Sequence, residues 1–167
     1  MAPRLEAIRG DITEESTDAV VNAANPQLAR GAGVCGAIFA RAGAQLDDAC
    51  AALGGCPTGD AKVTPGFGLP ARWIVHAVGP VWHGGGDGEP ELLASAYRRS
   101  LAVAAEAGAR SVAFPAISTG IYGYPLEPAT QIAVRTCRDE APSQIELVRF
   151  VCFDGATHAA YEQEMEG

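Results

Sequence analysis

The sequence predicts an α/β fold, in which a largely parallel sheet carries helices on both of its faces. Short apolar segments of strand length alternate along the chain with longer segments of helical periodicity. Of the 167 residues, 48% are hydrophobic and only 19% are charged, which is typical of a compact globular fold and not of disorder. Because neither a linker nor an internal repeat divides the sequence, we expect one domain over residues 1–167.

The first half of the chain predicts four strands and two helices. Leu5 and Ala7 alternate with charged residues in a half-exposed strand, and Val20 and Val21 belong to a buried one. Gly54-Gly55 has the pattern of a helix C-cap. In chain order, the predicted strands are 3–9, 20–23, 58–67 and 72–78, and the predicted helices are 34–43 and 44–53.

The second half predicts three helices, two strands and a long loop. Residues 79–90, with Gly84, Gly85, Gly86 and Gly88 at their centre, are expected to form a mobile surface loop. An apolar stripe over 91–107 predicts the clearest helix, which Gly108 ends, and Pro125 suits the first turn of the next. The predicted strands are 111–115 and 146–153, and the remaining helices run from about 125 to 140 and 156 to 164.

Charge and cysteine usage exclude several classes of protein. The formal net charge of −8 argues against nucleic acid as the main partner, because binding to a phosphate backbone relies on clustered Lys and Arg. The five cysteines form no CxxC pair and no metal-ligand spacing is present, so we expect free thiols, no metal and a cytoplasmic location. With no signal-peptide pattern and no apolar run long enough to cross a bilayer, we expect no membrane association.

Residues 20–43 have the pattern of an anion-binding site. A buried strand leads to Asn22 and Asn25, a glycine cluster follows at 31–36, and a helix begins there. The first amides of a helix lack intrahelical partners and carry the positive end of its dipole, so they favour a phosphate-bearing ligand. The cluster also fits G-x-G-x-x-G, but the strand ends seven residues too early and Cys56 stands where a dinucleotide-binding domain has an acid. A Rossmann dehydrogenase is therefore disfavoured.

Five segments together resemble the macrodomain family of ADP-ribose-binding modules and hydrolases. The segments are GDIT (10–13), VVNAAN (20–25), GAGVCGAI (31–38), LPARWIVHAVGPVW (69–82) and FPAISTGIYGYP (114–125). The resemblance implies a three-layer α/β/α sandwich with a mixed, mostly parallel sheet. It is greatest to the branch that removes mono-ADP-ribose from protein carboxylates and deacetylates O-acetyl-ADP-ribose. It implies ADP-ribose and ADP-ribosylated proteins as partners and no cofactor, and we expect a monomer.

The resemblance assigns candidate ligand contacts at the two ends of ADP-ribose. Asp11 would accept a hydrogen bond from the adenine amino group, with the Ile12 amide against the ring. Phe153 would pack on adenine, and Asn25 would hold hydroxyls of the distal ribose, the sugar that bears the scissile bond. Alternatives stay open: Asp11 as the cap of the following turn, Phe153 as a core aromatic, and Asn25 as a cap of its own loop.

The diphosphate would lie between two loops of small residues. The first ligand loop is Gly31, Gly33 and Val34, and the second is Ser118, Gly120, Ile121 and Tyr122. The resemblance implies that Tyr122 flanks the distal ribose, although packing would equally explain a tyrosine there. Arg30 could reach a phosphate or lie on the surface.

Cys35 departs from the branch that the rest resembles, which has an aspartate assigned to activating water at this position. A thiol cannot serve as the same base. Cys35 could be a buried filler, a thiolate at the helix N-terminus acting as base or nucleophile, or a ligand contact without chemistry. The hypothesis is substrate-assisted hydrolysis, in which a ligand phosphate activates water and Asn25 fixes the geometry. The alternative is a reader that binds ADP-ribose without hydrolysing it.

Several polar residues have no assigned chemistry. We predict that His76 is a hydrogen-bonded core histidine and that Asn22 is structural. His83 and His158 are expected to face solvent.

Overall fold

A computed structural model describes residues 2–166, and a six-stranded sheet lies at its centre. Its strands are β1 (Arg4–Arg9), β2 (Ala19–Ala23), β3 (Ala61–Pro65), β4 (Trp73–Ala77), β5 (Ser111–Phe114) and β6 (Leu147–Cys152). They pair in the order β1-β6-β5-β2-β4-β3, and every neighbouring pair is parallel except β3 with β4. The mixed, mostly parallel sheet that the sequence predicts is therefore confirmed.

Helices cover both faces of this sheet and complete a three-layer α/β/α sandwich. Val20 and Val21 point to opposite faces, as successive strand residues must, and each is fully buried in a different core. The helices are α1 (Gly33–Ala42), α2 (Ala44–Leu53), α3 (Glu89–Glu106), α4 (Leu126–Glu140) and α5 (Gly155–Glu166), with a 3₁₀ turn at Ile12–Glu14. α1 and α2 pack on the Val20 side, and α3, α4 and α5 pack on the Val21 side.

Two helices begin at other residues than the sequence predicts, in both cases next to a proline. α3 begins at Glu89, not at residue 91, because Pro90 fits the first turn of a helix and does not end the loop before it. Pro125 is the N-cap of α4 and not its first helical residue, since its ψ of 135° is extended. The glycine-rich residues between β4 and α3 are mostly exposed, as expected for a surface loop.

The carboxyl ends of β1, β6, β5 and β2 meet along one edge of the sheet, because these four neighbours are parallel. Strands lie about 4.8 Å apart, so the ends of β1 and β2 are separated by roughly 14 Å. Ligands of open α/β sheets bind outside this edge. A ligand that bridges the four ends must therefore be extended.

His76 is the hydrogen-bonded core histidine that the sequence predicts. It is fully buried, with Nδ1 3.1 Å from Asn22 Nδ2 and Nε2 3.0 Å from Thr64 Oγ1. Burial lowers the pKa of His76 to about 4, so its ring is neutral near pH 7. His83 is exposed as expected, but the expectation for His158 is wrong: it is half-buried, and its Nε2 lies 3.0 Å from the Ala7 carbonyl oxygen.

The five cysteines are all buried and free. Within residues 2–166, no cluster of three or more His, Cys, Asp or Glu side chains could hold a metal ion. Over the same range, none of the helices has the length and apolar character required to cross a membrane.

Candidate functional site

A cleft of about 1040 Å³ opens at the carboxyl ends of β1, β6, β5 and β2. Its walls are the loop before α1 on one side and the loop after β5 on the other. Twelve candidate site residues predicted from the sequence line it, namely Asp11, Ile12, Asn25, Gly31, Gly33, Val34, Cys35, Ser118, Gly120, Ile121, Tyr122 and Phe153. The fold thus brings together residues from opposite ends of the chain.

Asp11 follows β1 and uses one carboxylate oxygen to cap the 3₁₀ turn. Its Oδ1 accepts hydrogen bonds from the Thr13 backbone N–H (2.9 Å) and from Thr13 Oγ1 (2.7 Å). These bonds, the hydroxyl first, lower the pKa of Asp11. Oδ2 has no hydrogen-bond partner within residues 2–166, so the ionised carboxylate keeps an acceptor for a donor in the cleft. Asp11 therefore caps the turn with Oδ1, and its Oδ2 remains available to a ligand.

Phe153 follows β6, the strand adjacent to β1, and its side chain is 86% exposed. The core-aromatic alternative is therefore wrong. An exposed aromatic ring beside a cleft is a surface on which a flat apolar ring can stack. Ile12, 5% exposed, lines the same end of the cleft.

Asn25 follows β2, and its side chain binds the backbone of Ala29 in the loop before α1. Its Oδ1 accepts from the Ala29 N–H (3.0 Å), and its Nδ2 donates to the Ala29 carbonyl (2.9 Å). A carboxamide has two N–H donors and two acceptor lone pairs. One of each remains for a ligand, so the loop-capping alternative and a ligand contact are compatible at Asn25.

The first ligand loop enters α1 without a side-chain cap. Ala32, the N-cap residue, makes no side-chain hydrogen bond, which leaves the first amides of the helix available to an anion. Gly33 has a φ of +60°, a conformation that favours glycine. A Cβ on Gly36 would lie 2.5 Å from the Gly31 carbonyl oxygen, so only glycine lets the loop fold this closely over the helix.

Cys35 lies beneath the first ligand loop and is only 6% exposed. Its Sγ donates to the Ala29 carbonyl at 3.7 Å and accepts from Asn22 Nδ2, also at 3.7 Å. Asn22 is fully buried and stands between this thiol and His76, so the imidazole does not pair with Cys35 directly. The geometry is that of a small residue that fills the space between loop and sheet.

The second ligand loop is held from behind at several points. Ser118 has a φ of +69° and is buried, and a Cβ on Gly79 would collide with it. The Tyr124 N–H donates to the Ser118 carbonyl (2.9 Å), and the Trp82 N–H donates to the Tyr122 carbonyl (2.9 Å). These bonds fix a tight turn whose exposed tip is Ile121, 84% exposed.

Charged groups are distributed unevenly along the cleft. Both of its carboxylates, Asp11 and Asp154, lie at the β1–β6 end, together with Arg9. The β2–α1 end has Cys35 and Tyr122 as its ionisable groups among the described residues, and it contains no carboxylate or imidazole. Burial, followed by the nearby Cys35, raises the pKa of Tyr122, so its hydroxyl stays protonated.

A model of the Macro domain family matches residues 21–133, more than half of the chain. This chain is a macrodomain. The fold and family that the sequence suggests are therefore confirmed.

Relatives of known name match the macrodomain over nearly its full length. A macro domain-containing protein of Chlorobaculum tepidum is 52% identical over 163 residues, which cover 96% of this chain and 95% of the relative. A Klebsiella pneumoniae protein named O-acetyl-ADP-ribose deacetylase is 50% identical over 169 residues, covering 98% and 97%.

Solved structures share the fold closely. The Oceanobacillus iheyensis macrodomain with ADP has a TM-score of 0.90 at 39% identity, covering 97% of this chain and 90% of that one. The Trypanosoma brucei macrodomain in complex with ADP-ribose has a TM-score of 0.90 at 40% identity, covering 98% and 69%.

Sequence reasoning missed several lining residues of this macrodomain. Arg9 and Thr157 belong to the β1–β6 end of the cleft, and so does Asp154, which accepts from the Thr157 N–H (2.8 Å) at the start of α5. That bond lowers the pKa of Asp154. Arg30, by contrast, does not line the cleft: it pairs with Asp47 at 2.9 Å on the surface.

Proposed function

We propose that this macrodomain binds ADP-ribose in the cleft and hydrolyses its conjugates. The conjugates are mono-ADP-ribose on acidic side chains of proteins and O-acetyl-ADP-ribose. The observation that carries the proposal is the convergence of twelve candidate site residues on one extended cleft. The names of the K. pneumoniae deacetylase and of the T. brucei complex with ADP-ribose support the same ligand.

In this proposal, the adenine end of the ligand occupies the β1–β6 end of the cleft. Adenine packs on Phe153, and stacking of this kind contributes on the order of 1–3 kcal/mol. The adenine amino group donates to Asp11 Oδ2, the oxygen that the 3₁₀ turn leaves free. A lowered pKa keeps this carboxylate an acceptor over the whole neutral range.

The diphosphate lies between the two ligand loops. The uncapped N-terminus of α1 supplies free amides and the positive end of a helix dipole on one side. The turn after β5 supplies backbone amides on the other side. Backbone groups suffice here, which agrees with a chain of net charge −8 that still binds an anion.

The distal ribose lies at the β2 end, where Asn25 contacts its hydroxyls and Tyr122 flanks it. With a carboxylate-linked conjugate as the substrate, a water molecule attacks the anomeric carbon and forms a new C–O bond. The bond from that carbon to the carboxylate oxygen breaks, and its electron pair leaves with the carboxylate. The proton of the water passes to a phosphate oxygen of the ligand. The products are free ADP-ribose and the unmodified acidic side chain.

Two features support a ligand phosphate as the base. Among residues 2–166, no carboxylate or imidazole lines the β2–α1 end of the cleft. The Cys35 thiol donates its proton to the Ala29 carbonyl oxygen, and this oxygen is not a base that could convert the thiol to a thiolate. The barrier is then lowered mainly by positioning, which can contribute several kcal/mol.

A reader of ADP-ribose is the second candidate, favoured by the same absence of a protein base. The two functions differ in one measurement. The macrodomain is incubated at catalytic amounts with a carboxylate-linked mono-ADP-ribosylated peptide and, separately, with O-acetyl-ADP-ribose.

The proposed function predicts multiple turnovers of at least one substrate. Asn25→Ala is the control for contaminating activity, because it removes the proposed ribose contact together with the two hydrogen bonds that join Asn25 to Ala29. Saturable ADP-ribose binding without release would support the reader. Absence of both binding and release would refute ADP-ribose as the ligand.

A further inference from the structure

Glu89 is a buried carboxylate for which the proposed reaction has no use. It is the first residue of α3 and is only 1% exposed. Its Oε2 accepts from the backbone N–H groups of His83 (2.8 Å) and Gly85 (3.0 Å), and its Oε1 accepts from that of Asp87 (2.7 Å). The Glu89 side chain thus binds three backbone N–H groups of the segment 82–88, here called the glycine loop.

This carboxylate is ionised without a positively charged partner. No ion pair involves Glu89 within residues 2–166. Burial raises the pKa of Glu89, but the surrounding backbone N–H groups outweigh burial and lower the pKa to about 2. A buried charge that is satisfied by backbone donors alone fixes the conformation of those donors.

The glycine loop is joined to the second ligand loop through Trp82. The backbone N–H of Trp82 donates to the Tyr122 carbonyl (2.9 Å). The indole ring of Trp82 packs on the Tyr124 ring, with ring centres 4.6 Å apart. Gly85, which Glu89 binds, backs onto the Trp82 indole, because a Cβ there would lie 3.0 Å from the ring. A continuous set of contacts therefore leads from Glu89 to the loop that faces the diphosphate.

We propose that Glu89 is a positioning residue for the second ligand loop. Its carboxylate folds the glycine loop, which holds Trp82 against Tyr122 and Tyr124 and so fixes the backbone amides of the turn. The inference rests on the proposed binding of ADP-ribose in the cleft. It predicts that Glu89 matters for ligands that reach the diphosphate position and not for the adenine end.

The test compares Glu89→Gln with Glu91→Gln. A glutamine in place of Glu89 keeps the size of the side chain but offers one acceptor oxygen, so at least one of the three loop bonds is lost. Glu91 is exposed in the same first turn of α3, and its replacement removes the same charge from the same helix end. ADP-ribose and adenosine are titrated into each variant, by calorimetry and by NMR.

We expect Glu89→Gln to weaken ADP-ribose about 10-fold, the size of one lost charge-assisted hydrogen bond. Adenosine binding stays within about 2-fold of the wild type, since adenosine has no phosphate and the β1–β6 end is unchanged. Tryptophan emission also shifts, because the surroundings of the Trp82 ring change. The shift is detectable since Trp82 is one of only two tryptophans in the chain. Glu91→Gln matches the wild type in all three measurements.

Equal ADP-ribose affinity in the two variants would overturn the inference. Equal weakening of both ligands by Glu89→Gln would overturn it as well, because that result indicates a general loss of structure. If Glu89→Gln does not fold, the same titrations are made with Asp87→Pro, which removes one N–H donor to the Glu89 carboxylate. Asp87→Asn, which keeps this donor, is its control. Selective weakening of ADP-ribose supports the inference, and equal affinities refute it.

The wild-type titration separates this inference from the proposed function. A wild type that fails to bind ADP-ribose refutes both. A wild type that binds ADP-ribose, with indistinguishable Glu89→Gln and Glu91→Gln variants, refutes only the role of Glu89.

Discussion

Replacement of Cys35 by alanine separates the packing role of this thiol from a chemical one. The substitution removes one buried sulfur atom, which is comparable in size to a methylene group and contributes about 0.8 kcal/mol by burial. A small residual cavity brings the expected loss of stability to about 1 kcal/mol. The two sulfur hydrogen bonds, both 3.7 Å long, add little to this figure. For a domain of this size we expect the melting temperature to fall by about 2–4 °C.

The same variant should keep its turnover. If a ligand phosphate activates the water, the kcat for release of ADP-ribose changes by less than about 3-fold, because no proton passes through the thiol. The assay is multiple-turnover release from a carboxylate-linked mono-ADP-ribosylated peptide, with calorimetric titration of ADP-ribose alongside. Cys35→Ser is the matched control, since its hydroxyl can still donate to the Ala29 carbonyl. A loss of kcat of about 100-fold or more in Cys35→Ala, with ADP-ribose affinity retained, would refute substrate assistance.

Three further predictions test other parts of the site and the core. In Gly36→Ala the new Cβ must displace the Gly31 carbonyl, 2.5 Å away, so calorimetry should show ADP-ribose affinity about 10-fold or more weaker, and unchanged affinity would contradict the role of the first ligand loop. Phe153→Ala should weaken ADP-ribose by about 1–3 kcal/mol but change the free energy of unfolding by less than about 0.5 kcal/mol, since the ring is 86% exposed; the opposite pattern would make it a packing residue. His76 has a pKa of about 4 in the folded state, below its unfolded value, so the unfolded state binds the extra proton first and stability is lost as pH falls from about 6.5 towards 4. Urea unfolding should therefore show the wild type losing about 3 kcal/mol relative to His76→Gln over that range, and parallel pH profiles would contradict this reasoning.

The sequence predicts the cleft well because its residues follow parallel strands. Each candidate group comes directly after an apolar segment, and the carboxyl ends of parallel strands meet at one edge of a sheet. Asp11 and Phe153 lie near opposite ends of the chain, yet β1 pairs with β6 in a continuous register from Arg4–Leu147 to Arg9–Cys152. Apolar periodicity does not encode which strands pair. Only the resemblance to a family of known fold suggested that these two residues share a site.

The hydrogen-bond partners of individual side chains could not be predicted from the sequence. Glu89 stands in a run of glycines before a proline, a composition that indicates a loop, and its partners are backbone groups of that same loop. Nothing in the local pattern shows that the side chain turns inward. The prediction for His158 is wrong for a different reason, because its contact with Ala7 crosses from α5 to β1. Asp11 and Asn25 each cap their own loop and still have atoms free for a ligand. The sequence prediction treats capping and ligand binding as exclusive alternatives, and the structure shows that they are compatible.

Hydrolysis in heavy-oxygen water tests the proposed reaction most directly. A peptide with mono-ADP-ribose on a glutamate is incubated with the macrodomain in labelled water, and the mass of the released peptide is measured. Attack on the anomeric carbon predicts release of ADP-ribose and a peptide whose carboxylate carries no label. A labelled carboxylate would show attack on the ester carbonyl instead, and binding without any release would show that this cleft only holds its ligand.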